Sequence, residues 1–159
     1  MDKKEIMHQG IYLAMETSKL TLGGPFGAVV VKDGQIIAVA SNSVLVDNDP
    51  TAHAEMNAIR KACKKLNTYD LSGCELYATG YPCPMCLSAI IWSNIKTVYY
   101  GCTPQDAAEI GFRDDFIYDY IINLRNNSED KSILNLMELN REDCLTLFNA
   151  YVQNNKTIY

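Results

Sequence analysis

The fold of this chain is constrained most by two short segments, His53-Ala54-Glu55 and Pro82-Cys83-Pro84-Met85-Cys86. Each segment is predicted to open a helix. Pro84 suits a first helical turn, because its missing N–H would make no hydrogen bond there. Cys83 and Cys86 are three residues apart at that helix start, so both sulfur atoms project from the same side. If these side chains act together, two helix starts must lie next to each other.

The three candidate ligands His53, Cys83 and Cys86 suit a catalytic metal ion better than a structural one. They offer one imidazole nitrogen and two sulfurs, and a helix N-terminus favours the thiolate form of a cysteine. Catalytic zinc takes three protein ligands and keeps one position open for water. A closed zinc site needs a fourth Cys or His at close spacing, and none occurs here. A thioredoxin-like redox pair would leave the His-x-Glu segment unexplained. One Zn²⁺ per active site is therefore the expected cofactor.

Glu55, two residues beyond His53, is the expected catalytic residue. Zinc lowers the pKa of its bound water towards about 7. A carboxylate beside the metal can take the water proton and return it to a ring nitrogen and a departing amine. These roles suit hydrolysis of an amidine-like carbon in a nitrogen heterocycle, and the pairing of the two segments is typical of zinc nucleobase deaminases. A non-enzymatic, zinc-stabilised binding module is the alternative, and it leaves Glu55 without a purpose.

Strands alternate with helices along the chain, and this pattern favours an α/β sheet with helices on both faces. Asp33-Gly34 between two apolar runs predicts a β-hairpin. The expected strands cover residues 26–31, 35–40, 75–79 and 96–100. The expected helices cover residues 4–19, 84–93, 105–110, 114–122 and 140–152, and one more begins near residue 52. Residues 125–131 are polar and predict a mobile loop, while 133–139 could form a short strand or a helical turn. In the last helix, Leu145, Phe148 and Val152 are expected to face inward.

Composition narrows the class of protein. The chain has 159 residues, enough for one domain over 1–159, and hydrophobic residues make up 48% of it. The net charge is −5 and the Lys and Arg residues are scattered, so no nucleic-acid partner is expected. No apolar run approaches the length of a membrane span and the N-terminal residues resemble no signal core, so no membrane association and a cytoplasmic location are expected.

Four segments carry a resemblance to a known family: residues 24–29, 48–55, 82–87 and 106–118. On these residues the chain resembles the cytidine deaminase-like superfamily and, over nearly its whole length, the bacterial guanine deaminases within it. The segment 106–118 and the terminal residues 156–159 point most strongly to guanine. The resemblance implies a three-layer α/β/α fold with a central mixed five-stranded sheet.

The resemblance also implies a role for several residues in binding a purine base. Phe26 would pack against the base, Asn42 would hydrogen-bond the purine edge, and Asp114 would accept from ring N–H and amino groups. The backbone at Ala54 and Cys83 would contact the ring or the reacting oxygen, and Tyr159 would close the pocket. From the residues alone, Phe26 could instead be a core residue, Asn42 a turn residue, and Asp114 or Asp115 a helix cap.

The implied reaction is zinc-dependent hydrolysis of guanine to xanthine and ammonia, in a homodimer that exchanges its C-terminal segment, about 125–159. Tyr159 could therefore act in the partner's site. Tyr81 departs from the family pattern, because many members carry an acidic residue before the proline of the ligand loop. Other substrates therefore stay open: guanosine, a triazine such as ammeline, another aminopurine and, less favoured, a tRNA adenosine.

Overall fold

The computed structural model describes residues 1–154, 157 and 158. The chain forms two compact units, Met1–Tyr118 and Asp119–Tyr159. The helices are, in chain order, α1 Lys3–Lys19, α2 Val44–Asp47, α3 Ala54–Leu66, α4 Pro84–Trp92, α5 Pro104–Glu109, α6 Asp115–Arg125 and α7 Arg141–Gln153. The strands are β1 Gly27–Lys32, β2 Gln35–Ser41, β3 Cys74–Gly80 and β4 Thr97–Cys102.

The strands of the first unit form one mixed sheet in the order β2-β1-β3-β4. Strand β1 pairs antiparallel with β2 and with β3, and β3 pairs parallel with β4. Asp33 and Gly34 join β1 to β2 with φ angles of 50° and 74°, the left-handed conformation that a two-residue hairpin turn requires. The predicted hairpin is confirmed.

Helices cover both faces of this sheet. Along β1, Ala28 and Val30 pack on one side with buried residues of α3 and α4. Val29 and Val31 belong to a second cluster on the other side, which includes Ile6 of α1. Successive side chains of a strand point to opposite faces, so one apolar strand supplies both cores. The predicted three-layer α/β/α arrangement is confirmed within this unit.

The prediction of five strands is wrong for the described part of the chain, in which the sheet has four. Residues 133–139, the candidate for another strand, contain no strand. Their apolar side chains stand at odd and even positions alike and are exposed, so the segment has no single face to bury; these are Ile133, Leu134, Leu136, Met137 and Leu139. A strand also needs a neighbouring strand to satisfy its backbone N–H and C=O groups.

Helix α7 forms as predicted, but its expected inward face is wrong. Phe148 and Val152 are exposed, and Leu145 is only half-buried.

Among the helices that the structure describes, none is both long enough and apolar enough to cross a membrane.

Candidate active site

The starts of α3 and α4 bring the three predicted ligands together. His53 and Cys83 are the N-cap residues of these helices, and Cys86 is buried one turn into α4. The His53 Nδ1 atom lies 3.6 Å from Cys83 Sγ and 3.7 Å from Cys86 Sγ. Zn–N and Zn–S bonds of about 2.0 and 2.3 Å at tetrahedral angles would place such ligand atoms roughly 3.5 to 3.8 Å apart. The donor atoms and their spacing therefore fit zinc.

Side-chain hydrogen bonds fix the loop that carries His53. The Asp49 carboxylate accepts from the Thr51 backbone N–H and hydroxyl at 2.8 and 2.7 Å. Asn57, one turn after His53, donates from Nδ2 to the Ser41 carbonyl at 3.0 Å and to the Ser43 hydroxyl at 2.9 Å. These bonds join the end of β2 to the start of α3. Sequence reasoning missed Asn57, because its partners become neighbours only in the fold.

The second ligand loop is tied to the sheet. The Tyr81 backbone N–H donates to the Cys102 carbonyl at the end of β4, with a length of 2.8 Å. Pro82 is fully buried, and Pro84 occupies the first turn of α4 as predicted. The Tyr81 side chain is about 40% exposed and meets Tyr100 edge to face, with ring centroids 5.0 Å apart. The structure thus turns Tyr81 towards another aromatic ring.

The two thiols of the ligand loop differ in acidity, because each is hydrogen-bonded to the other. Hydrogen bonds from Cys86 and from His53 lower the pKa of Cys83 to about 4, although burial opposes the shift. The hydrogen bond to Cys83, together with burial, raises the pKa of Cys86. The hydrogen bond with Cys83 also raises the pKa of His53. One thiolate therefore stands ready at neutral pH, beside a second thiol that metal binding would deprotonate.

Glu55 lies on the first turn of α3 and only 8% of its surface is exposed. Burial raises the pKa of its carboxyl group, and the negative charge of Cys83 adds to the effect. A buried carboxyl group with a raised pKa exchanges protons more readily near neutral pH than an exposed one does. The position and environment of Glu55 suit a proton carrier.

Phe26 and Asn42 stand beside the glycine-rich loop that precedes β1. Phe26 is half-buried and meets Phe112 edge to face at 5.0 Å, while it also packs against the core. Asn42 is 6% exposed, and its Oδ1 accepts from the backbone N–H groups of Gly24 and Val44 at 3.2 and 3.1 Å. The Asn42 Nδ2 group donates no hydrogen bond to any described residue.

The two neighbouring aspartates differ sharply in environment. Asp115 is exposed and accepts two hydrogen bonds from Arg113, at 2.6 and 3.2 Å. Asp114 is half-buried, and burial raises the pKa of its carboxyl group, followed by the charge of Cys83. Asp114 is thus the one whose carboxyl group is influenced by the ligand loop.

Ala54 and Tyr159 are the remaining residues predicted for the site. Ala54 is fully buried at the start of α3. Tyr159 lies outside the described residues. Tyr118, which sequence reasoning did not select, has a buried hydroxyl group that makes no hydrogen bond to any described residue.

An open three-ligand metal site at two helix starts, with a buried glutamate beside it, defines a zinc-dependent deaminase. The model of the family described as "cytidine and deoxycytidylate deaminase zinc-binding region" matches residues 1–102. The chain belongs to this family, and it is a zinc-dependent hydrolase acting on cyclic amidines.

Individual relatives agree with the predicted resemblance. Guanine deaminase from Bacillus subtilis is 53% identical over 121 residues, which cover 76% of this chain and 78% of that protein. A crystal structure of guanine deaminase from B. subtilis covers 100% of this chain and 99% of its own, with a TM-score of 0.90 and 44% identity. A tRNA-specific adenosine deaminase from Aquifex aeolicus is 55% identical over 77 residues, about half of either chain.

Proposed function

We propose that this chain hydrolyses guanine to xanthine and ammonia. The observation that carries the proposal is the convergence of His53, Cys83 and Cys86 within 4.8 Å of one another beside the buried Glu55. The choice of guanine is supported by the B. subtilis relative, whose similarity extends over most of the chain.

His53 Nδ1, Cys83 Sγ and Cys86 Sγ would hold the zinc ion and leave its fourth position open. When bound there, zinc would lower the pKa of a coordinated water towards about 7, which makes a nucleophile available for attack on C2 of guanine. The N-terminus of α4 favours negative charge on its cap residue Cys83 and on Cys86 one turn later, which suits two thiolate ligands.

Glu55 moves the protons. Its carboxylate accepts one proton from the attacking water and gives it to N3 of the ring. It then carries the second proton of the water to the departing amino group, which leaves as ammonia. The carbonyl of xanthine forms as the C2–N bond breaks, so guanine and water are converted completely into xanthine and ammonia. The raised pKa of Glu55 favours the return of the proton.

The base would lie between the ligand loops and the loop before β1. Phe26 would pack on its face, and Asn42 would donate to the purine edge from its free Nδ2. Asp114 would accept from ring N–H and amino groups, because its carboxylate is not paired with an arginine as that of Asp115 is. The backbone at Ala54 and Cys83 would contact the ring or the reacting oxygen, and Tyr159 would close the pocket.

We further propose one deaminase domain over 1–159 that forms a homodimer by exchanging the C-terminal segment, about 125–159. The second unit contains many exposed large apolar side chains, and such groups usually mark an interface; among them are Met137, Leu139, Leu147, Phe148 and Val152. Light scattering should give twice the chain mass, and a monomer would contradict the dimer. We propose a cytoplasmic location, since a reducing compartment keeps Cys83 and Cys86 available for zinc.

The test is an ammonia-release panel on zinc-loaded protein with guanine, guanosine, ammeline and adenine, with xanthine identified by chromatography. Guanine should react fastest. Because many family members carry an acidic residue where this chain has Tyr81, which packs against Tyr100, ammeline and guanosine are the informative competitors. If protein with one zinc per chain leaves guanine intact, the proposed function is wrong. The net charge of −5 disfavours a tRNA substrate.

A further inference from the structure

The hydroxyl group of Tyr118 is buried, yet it has no hydrogen-bond partner among the described residues. Leaving a buried hydroxyl group unpaired is costly, and a native protein rarely does so without a reason. The neighbouring tyrosine of the same helix behaves differently, because the Tyr120 hydroxyl donates to the Leu134 carbonyl at 3.4 Å. The missing partner is therefore specific to Tyr118.

Tyr118 belongs to the active site by its surroundings. Its backbone N–H donates to the Asp114 carbonyl at 3.4 Å, so Tyr118 lies on the first turn of α6, one turn after Asp114. Burial raises the pKa of the Tyr118 phenol, and the further causes are Asp114, Tyr81 and Cys83, all of them around the ligand loop. An unpaired donor thus lies within electrostatic reach of the Asp114 carboxylate, which makes no hydrogen bond to another described residue.

This pair of groups has the polarity of one edge of guanine. Along that edge N1–H is a donor and the adjacent O6 is an acceptor. A carboxylate can accept from N1–H while a phenol beside it donates to O6. Adenine presents the opposite order, an acceptor at N1 and a donor at its 6-amino group, so the same pair would reject it. A site that hydrogen-bonds a substrate group discriminates strongly against an analogue without it.

We propose that Tyr118 is a specificity-determining residue whose hydroxyl group donates a hydrogen bond to O6 of the bound base beside Asp114. This inference rests on the proposed function, because it takes guanine as the substrate and Asp114 as its acceptor. It adds a second polar group to the recognition of the six-membered ring.

The test uses Tyr118→Phe and, as matched control, Tyr120→Phe in the same helix. The inhibitors are hypoxanthine, which has N1–H and O6, and purine, which has neither. Tyr118→Phe should raise the KM for guanine and the inhibition constant of hypoxanthine by roughly 5- to 30-fold, the usual effect of one hydrogen bond. The inhibition constant of purine should stay within about twofold of the wild-type value, since it has no group for the hydroxyl to bind.

Thermal unfolding separates this role from a structural one. Tyr118→Phe should leave the Tm unchanged or raise it, because the lost hydroxyl group has no partner to leave behind. Tyr120→Phe should lower the Tm slightly and leave the KM and both inhibition constants unchanged. The inference is overturned if Tyr118→Phe binds guanine and hypoxanthine as the wild type does, even though the wild type converts guanine.

A failure of the proposed function would look different. Wild-type protein would then not convert guanine at all. Calorimetric titration with hypoxanthine still decides the role of Tyr118 in that case: weaker binding by Tyr118→Phe supports it, and equal or absent binding in both proteins overturns it.

Discussion

Polar side chains lie beside the sheet of the first unit in two regions. The regions differ in whether these side chains have hydrogen-bond partners within the protein. On the α1 side, the buried Tyr77 donates to Glu75 at 2.8 Å, Tyr99 stacks on it at 4.7 Å, and Lys3 donates to the Tyr99 hydroxyl at 2.6 Å. In the proposed active site, the Tyr118 hydroxyl and the Asn42 amide nitrogen have no protein acceptor among the described residues.

This difference separates stability from function. Paired polar groups contribute to the free energy of unfolding, whereas unpaired groups are kept for a ligand. Mutations on the α1 side should therefore change stability and leave catalysis intact. Mutations that remove only the unpaired groups of the site should change activity with little effect on stability.

The largest effect is expected from Cys83→Ala. Losing one of three zinc ligands should remove the metal and lower kcat/KM by at least about 10³-fold, since zinc supplies several kcal/mol of the rate acceleration. Zinc content by plasma mass spectrometry and xanthine formation measure the two effects. Cys74→Ala is the matched control, a buried cysteine of β3 outside the site. It should keep its zinc and lose only about 1 kcal/mol of stability. Full zinc occupancy in Cys83→Ala would contradict the ligand assignment.

A smaller effect is expected from Asn42→Asp. Aspartate keeps the acceptor oxygen for the Gly24 and Val44 N–H groups but removes the donor proposed for the base. The KM for guanine should rise roughly 10- to 100-fold, as for the loss of one or two hydrogen bonds, with the Tm nearly constant. Asn42→Ala, which also loses the loop bonds, should lower the Tm as well. An unchanged KM in both variants would remove Asn42 from the binding site.

The smallest effect on activity is expected from Tyr77→Phe. Because Tyr77 is 2% exposed and bonds a carboxylate, its loss should lower the free energy of unfolding by about 1 to 2 kcal/mol and leave kcat/KM unchanged. Burial, followed by the bond to Glu75, raises the pKa of Tyr77 in the folded state. Its neutral form therefore stabilises the fold fully below the unfolded pKa of about 10, and this contribution is lost as the pH rises above that value.

Urea unfolding of both proteins between pH 8 and 11 measures this dependence. The stability difference between the wild type and Tyr77→Phe should be constant up to about pH 9 and shrink above pH 10. A reduced kcat/KM in Tyr77→Phe at neutral pH would show that the α1 side is coupled to catalysis. It would contradict the separation of stability from function between the two regions.

Local chemistry explains what the sequence predicted well. The Asp33-Gly34 turn, the start of α4 at Pro84 and the ligand set are each encoded within a few residues, and the structure agrees with them. Helix α2 was missed because four residues are too few to show a helical period.

Long-range relations account for the rest. Residues 133–139 were one candidate for a further strand, but strand formation depends on a partner that no local pattern reveals. Asn57 and Tyr118 were not selected, because an asparagine or a tyrosine in a helix has no distinctive spacing. The importance of Asn57 follows from Ser41 and Ser43, which the fold brings close to it. That of Tyr118 follows from its buried, unpaired hydroxyl group and from Asp114 one turn before it. Asp114 and Asp115 could be told apart only once the pairing of Asp115 with Arg113 was visible.

The most direct test of the central claim is the rate of xanthine formation from guanine by zinc-loaded wild type and zinc-loaded Glu55→Gln, measured side by side. Glutamine keeps the size of the side chain but cannot carry a proton. The rate should fall by roughly 10² to 10⁴-fold while zinc content and Tm stay at wild-type values. A Glu55→Gln protein that holds zinc and forms xanthine at the wild-type rate would contradict the assignment of Glu55 as the proton carrier and the mechanism built on it.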